Sequence, residues 1–240
     1  TKETFAKTID KAIEMDVDRV SLFSYAHLPT RFAAQRKIKD EWLPNAQSKF
    51  DLMRYAIETF TSRGYEFIGM DHFAKPTDEL AIAQRQGNLH RNFQGYTTKG
   101  GCDLLGLGVS SISSIGKSYS QNFKSIKDYY SAIEQQCSAT EVGLSLSEDD
   151  LIRGHVIKEL MCTLHLDKAN VEAKFNINFA QYFETELQDL TPFIKDELVE
   201  DNITEILVSP RARLLIRNIC MTFDAYMKKH INQQRFSRVI

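Results

Sequence analysis

The chain is poor in paired cysteine. Cys102, Cys137, Cys162 and Cys220 lie far apart, with no C-x-x-C pair and no cluster-ligand run. That spacing excludes a disulfide framework and a cysteine-held metal centre built from these residues alone. It points to reduced, mostly buried thiols in a cytoplasmic protein. Charge of one sign is also lacking. Lys plus Arg number 30 against 32 Asp plus Glu, so the net balance directs the chain neither to nucleic acid nor to an acidic membrane. No apolar run approaches the roughly 20 residues of a membrane span. Internal repeats, low-complexity tracts and targeting character are absent as well.

What is there suits one large domain or two modest ones. The 240 residues are 42% hydrophobic and include 15 Phe and 9 Tyr, enough for a substantial core. The first residue is not Met, and Phe5, Ile9 and Ile13 recur at helical spacing from the start. A helix that leads at once into the strand-like RVSLFSY (19–25) raises the expectation of a piece of a larger α/β protein. A polar loop follows, then a helix from about Pro44 to Ser62, closed by Gly64, and a second strand, YEFIGM (65–70). Helix, Gly, strand is the rhythm of a parallel α/β sheet or barrel, whose sites lie on the loops after the strands. Those loops begin at Ala26 and Asp71, and both read as long.

DLLGLGVSSISSI (103–115) reads as a third strand, followed by a helix near 123–135. From about residue 143 the rhythm changes. Ser147 and Glu148 mark a helix start, two shorter helices follow, and LVEDNITEILVS forms a hairpin about Asp201–Asn202. A long helix is expected from about Pro210, with Leu214, Leu215, Ile219 and Phe223 on one side. Three helices with a hairpin resemble a winged helix, so the division is 1–144 and 145–240.

GLGVSSISSIGKS (106–118) imitates two phosphate-binding motifs, but Ser111 stands where both need glycine, and a strand reading is favoured. Arg31, Arg36, Lys37 and Lys39 make a basic loop without an acid before Asp40, a solvated surface or a carboxylate-binding lip. Asp71 and His72 occupy a strand end; no partner recurs at metal-ligand spacing, so no metal is expected there. HRNFQGYTT (90–98) reads as a ligand-facing segment. Between Phe179 and Glu205 eight acids face one base, Lys195, which argues against DNA binding by the winged-helix-like part.

The literal strings go further. SYAHLPTRFAAQRKIKD, GYEFIGMDHFAKPTDELAIAQRQGNLHRNFQGYTT, DLLGLGVSSIS, RLLIRNICM and the terminal FSRVI resemble the oxygen-independent coproporphyrinogen III oxidase family over nearly the whole chain. The resemblance covers about the C-terminal half of that enzyme. It implies the C-terminal portion of a radical S-adenosylmethionine α/β barrel, followed by a mostly helical, winged-helix-like domain. The implied reaction is radical oxidative decarboxylation of two propionates of coproporphyrinogen III to vinyl groups, in haem biosynthesis. The implied cofactors are a [4Fe–4S] cluster and S-adenosylmethionine; the cluster's C-x-x-x-C-x-x-C would lie upstream and does not occur here. A second S-adenosylmethionine is implied at Ala26, Gln94 and Ile112. Arg31 and Arg36 are expected at the substrate carboxylates, on charge and position alone. The implied partners are the porphyrinogen and an electron donor, with no nucleic acid and no membrane span, in a full-length monomer. By itself the chain is expected to be inactive. A haem-binding relative of the same superfamily and a nucleic-acid-binding winged helix stand as alternatives.

Overall fold

The computed structural model describes residues 1–30, 32–136 and 138–230. Helix α1 (Lys2–Glu14) opens with a capping box at Thr1 and leads to strand β1 (Arg19–Ser21). Two short 3-10 turns, Ala33–Lys37 and Asp40–Trp42, interrupt the polar loop that follows. Helix α2 (Ala46–Ser62) starts at Asn45, whose side chain accepts from the Ser48 amide at 2.8 Å. Pro44 therefore precedes the cap rather than filling the first turn.

Strands β2 (Glu66–Gly69) and β3 (His72–Ala74) form a hairpin, and helix α3 (Glu79–Arg85) follows. The sheet order is β1-β3-β2, and β3 is antiparallel to both neighbours. The expected parallel pair β1 and β2 thus exists, but a third strand separates its members. The loop expected after Met70 is a two-residue turn, Met70–Asp71. Phe60, Tyr65 and Phe73 of this unit pack with Ile9 and Ala56 into one buried cluster. Each such aromatic or aliphatic side chain contributes about 1.5–3 kcal/mol on burial.

A second hairpin, β4 (His90–Asn92) and β5 (Gly95–Thr97), precedes the sheet β6 (Ile112–Ile115), β7 (Ser118–Asn122), β8 (Thr140–Ser145); helix α4 (Ile126–Gln136) joins the last two strands. The strand expected over 103–115 is shorter. Only Leu104 bridges to Ser114, and residues 105–111 loop back across β6. Glycine permits that return: a Cβ on Gly106 would collide with the Ile112 backbone.

Helix α5 (Glu148–Thr163) begins with a capping box between Ser147 and Asp150. Then come β9 (His165–Asp167), α6 (Lys168–Phe175), α7 (Phe179–Tyr182), α8 (Glu184–Asp189), α9 (Thr191–Lys195), β10 (Val199–Asp201) and β11 (Glu205–Val208). The expected hairpin is β10–β11, and β9 completes an antiparallel sheet of order β10-β11-β9. The long helix expected from Pro210 is broken into a 3-10 segment, Pro210–Leu215, then α10 (Ile216–Met221) and α11 (Ala225–His230). Asp224 interrupts it, its carboxylate accepting from the Tyr226 and Met227 amides at 2.8 and 3.0 Å. Val156, Leu160, Leu166, Leu190, Ile206 and Phe223 lie in the buried centre of this second unit.

Candidate functional site

The β2–β3 hairpin is bent at its tip. Its register slips between Phe67 and Gly69, which makes Ile68 an extra, bulged residue. Gly69 (φ 153°) and Met70 (φ 50°) both take positive φ, and the turn delivers Asp71 and His72 side by side. Asp71 Oδ1 lies 2.6 Å from His72 Nδ1. An ionised carboxylate only accepts, so Nδ1 carries the proton and Nε2 is left as the second functional atom. The Leu22 amide donates to the Asp71 carbonyl at 2.8 Å, tying the segment after β1 to this turn. Phe23, 71% exposed, meets His72 edge-on at 6.1 Å, and Tyr96 meets it from another side at 5.3 Å.

The β4–β5 turn carries Phe93 and Gln94. Asn92 Oδ1 accepts from the Gln94 amide at 2.8 Å, and the Gln94 side chain makes no hydrogen bond among the described residues. Phe93 stands against Tyr119 of β7, which faces Ser114 of β6 across the ladder. Ile112, two residues earlier on β6, pairs with Gln121. Ala26 is exposed beyond β1, and its carbonyl accepts from Gln35 Nε2 at 3.2 Å. Ala26, Gln94 and Ile112 are therefore three partly or fully exposed positions on separate segments. Phe23–His72 contact joins the first segment to the hairpins, and Phe93–Tyr119 joins the second to the third. None of the three touches another directly by a hydrogen bond.

β6 is not a free edge. β7 covers one side and the 104–108 return lies on the other, so any contact from Ile112 runs through its side chain. The phosphate readings of 106–118 fail on the same geometry. Ser111 Oγ donates to the Gly108 carbonyl at 2.8 Å, the Gly106 amide donates to Ser113 Oγ at 2.9 Å, and Lys117 Nζ pairs with Glu148 at 2.7 Å. The groups a phosphate would need are occupied by the protein itself.

In the basic loop, Arg36 Nε donates to the Pro29 carbonyl at 3.0 Å, and the guanidinium makes no ion pair among the described residues. Arg31 lies outside the described residues. His27 Nε2 sits 3.2 Å from Asp40. Beneath this loop Leu22, Phe23, Leu43, Leu52 and Met53 line a largely apolar cavity of about 210 Å³, to which Ser24, Tyr25, His27 and Lys49 add polar groups.

Comparisons with known proteins show the family. Residues 146–215 match the HemN C-terminal domain. An oxygen-independent coproporphyrinogen III oxidase of Thermostichus vulcanus is 43% identical over 241 residues, which cover all of this chain and 74% of that protein. The chain belongs to the oxygen-independent coproporphyrinogen III oxidase family. Members from Salmonella typhimurium and Escherichia coli K12 are 54% and 53% identical over 240 residues. The chain spans about half the length of these two, 52%. The solved structure described as "Coproporphyrinogen III oxidase (HemN) from Escherichia coli is a Radical SAM enzyme" superposes with a TM-score of 0.90 at 54% identity, over 94% of this chain and 52% of that one. The expected α/β fold with the family's C-terminal domain is thereby established.

No cysteine set suited to an iron–sulfur cluster is assembled among the described residues. Cys102 is exposed while Cys162 and Cys220 are buried, all unbonded, and no three His, Cys, Asp or Glu side chains converge as a metal site among the described residues. Cys137 lies outside the described residues. Burial pushes the Cys162 thiol up to about 11 and the Cys220 thiol up to about 12, the opposite of what a thiolate ligand needs. No helix among the described residues is long and apolar enough to cross a membrane.

Sequence reasoning missed a set of polar residues behind the site. Arg91, Tyr96 and Arg213 converge on the β2–β3 hairpin. The Arg91 guanidinium lies 5.0 Å over the Tyr96 ring, and Arg91 Nη1 and the Tyr96 hydroxyl are buried with no partner among the described residues. Burial raises the Tyr96 phenol and lowers the Arg213 guanidinium. Arg213 is 145 residues from its partner Ile68, so no local pattern announces the contact.

Proposed function

We propose that this chain is the C-terminal part of an oxygen-independent coproporphyrinogen III oxidase, which converts two propionates of coproporphyrinogen III to vinyl groups with loss of carbon dioxide and electrons. The observation that carries this reading is the family membership together with the close superposition on the radical S-adenosylmethionine enzyme. The cluster does not fit the residues present, so no step is derived through it. By this reading catalysis depends on ligands outside these 240 residues and on an electron donor, and the chain by itself does not turn over.

S-adenosylmethionine does fit. Gln94 offers an uncommitted amide, Ala26 an exposed small residue with its backbone, and Ile112 an apolar surface. Bound there, the molecule would supply or neighbour the radical chemistry of the family. The chain's own residues position and shield. Asp71 holds a proton on His72 Nδ1 and fixes the ring; Phe23 and Tyr96 wall it from water. Arg36, free of an ion-pair partner among the described residues, and Arg31 suit the propionate carboxylates as bidentate donors. The order α5, β9, helices, β10, β11 supports a winged-helix-like second unit over 145–240, with 1–144 as the barrel part. Its acidic composition favours a brace over a nucleic-acid reader, in a cytoplasmic, monomeric whole.

The test is turnover of coproporphyrinogen III by the complete protein after reconstitution, read as vinyl-bearing product. Haem binding without turnover would overturn the oxidase reading in favour of a haem-handling relative.

A further inference from the structure

The bulge at Ile68 leaves a buried carbonyl outside the β2–β3 ladder. Ile68 is 2% exposed, so water cannot satisfy it. Two side chains do so instead. Gln84 reaches it from α3, and Arg213 Nη2 reaches it at 2.9 Å from the second unit. The same guanidinium lies 4.7 Å over the Phe67 ring, on the residue just before the bulge. Two residues beyond Ile68, the Met70 side chain packs against the buried core of the second unit. The second unit therefore grips the hairpin on both sides of Gly69, immediately before Asp71 and His72. The grip is charged, since a guanidinium bonded to a carbonyl is stronger than a neutral donor. It is also specific, because Tyr96 crowds Gly69 and leaves the tip no room to relax inward.

We propose that Arg213 is a positioning residue: by holding the bulged Ile68 carbonyl from the second unit, it sets the β2–β3 turn and so the Asp71–His72 pair. This gives the C-terminal unit a task in the site beyond stability. It rests on the reading above only in taking the turn to be part of the reaction site; the mechanical coupling stands apart from it.

The experiment uses the complete protein, selectively labelled with 15N-histidine. The signal is the His72 Nδ1–H hydrogen-bonded to Asp71, assigned by its loss in His72→Gln. Arg213→Met is expected to speed exchange of that proton with water by about tenfold, the consequence of losing one charged hydrogen bond at the turn. Arg213→Lys restores part of the protection, because an ammonium still donates to the carbonyl. Arg153→Gln removes another half-buried arginine of the second unit that does not touch the hairpin. It is expected to lower the melting temperature yet leave the His72 proton unchanged. If Arg213→Met does not fold, Gln84→Leu removes the other donor and carries the same expectation. An unchanged His72 proton in Arg213→Met, or the same acceleration in Arg153→Gln, would overturn the proposal. Vinyl formed per S-adenosylmethionine cleaved is measured in parallel and is expected to fall in Arg213→Met. A wild-type protein that makes no vinyl product, with the proton-exchange pattern intact, defeats the oxidase reading and leaves the coupling standing.

Discussion

Phe93 stands edge-on to Tyr119, with ring centroids 5.0 Å apart and planes at 88°. That one contact ties the turn bearing Gln94 to the sheet bearing Ile112. Half of Phe93 is exposed, at 51%, so its burial matters less for stability than its geometry does for the turn.

Phe93→Ala is therefore expected to weaken S-adenosylmethionine binding by the complete protein several-fold, about 3- to 10-fold, the worth of one aromatic pair. The melting temperature is expected to move little. Titration calorimetry of the variant against wild type checks both the affinity and the number of sites.

Gly69 and Tyr96 should show a paired effect. A Cβ at position 69 collides with the Tyr96 hydroxyl, and the backbone there has φ 153°. Gly69→Ala is expected to cost about 1–3 kcal/mol. Tyr96→Phe removes a buried hydroxyl that has no partner among the described residues, so it should be neutral or stabilising by about 1 kcal/mol. Combined, the two changes should cost less than their sum. Urea denaturation of the four proteins gives the cycle, and strict additivity would remove the steric argument.

The buried thiols set a pH limit. Burial raises Cys162 from its ordinary 9.0 to about 11 and Cys220 to about 12. The folded state then keeps protons that the unfolded state releases, so stability falls as pH rises from 9 toward 11 and is unaffected below pH 9. Melting curves between pH 7 and 11 should show the decline, and Cys162→Ala with Cys220→Ala should flatten it. At pH 8 a thiol reagent is expected to label Cys102 in seconds, and Cys162 and Cys220 only on unfolding.

Arg153 anchors the second unit. Its guanidinium bonds Asp149 at 2.8 Å, Glu186 at 3.0 Å and the Phe223 carbonyl at 3.1 Å. Arg153→Met takes that cation from the buried Glu186 and the half-exposed Asp149 and is expected to cost about 2–4 kcal/mol. Calorimetry should place the loss in the transition of residues 145–230, with the hairpin of 66–74 unaffected.

Much of this was legible in the chain itself. Capping residues, helix spacing and the Asp201–Asn202 turn are local signals, and Ser147, Gly64 and β10–β11 stand where those signals put them. The strings around Ala26, Gln94 and Ile112 carried the family, and the family was found. Other readings failed, each for its own reason. The strand expected over 103–115 folds back on itself because Gly106 allows an approach that no period reveals. The loop expected at Asp71 is a tight turn because β3 inserts between two strands that the sequence places in succession. The helix expected from Pro210 breaks where Asp224 takes backbone amides for its own carboxylate.

By itself, then, the sequence determined helices α1, α2, α4 and α5, the β10–β11 hairpin and the strings that carry the family, since propensity, capping and turn preference act within a few residues. Only the tertiary structure decided which of those residues lie together. Asp71 orients His72 because a bulge and two positive-φ residues bend the hairpin. The carbonyl of that bulge is satisfied by Gln84 and by Arg213, the latter 145 residues away. Hydrogen bonds and packing across such distances follow from three-dimensional closeness, and sequence order holds no record of them.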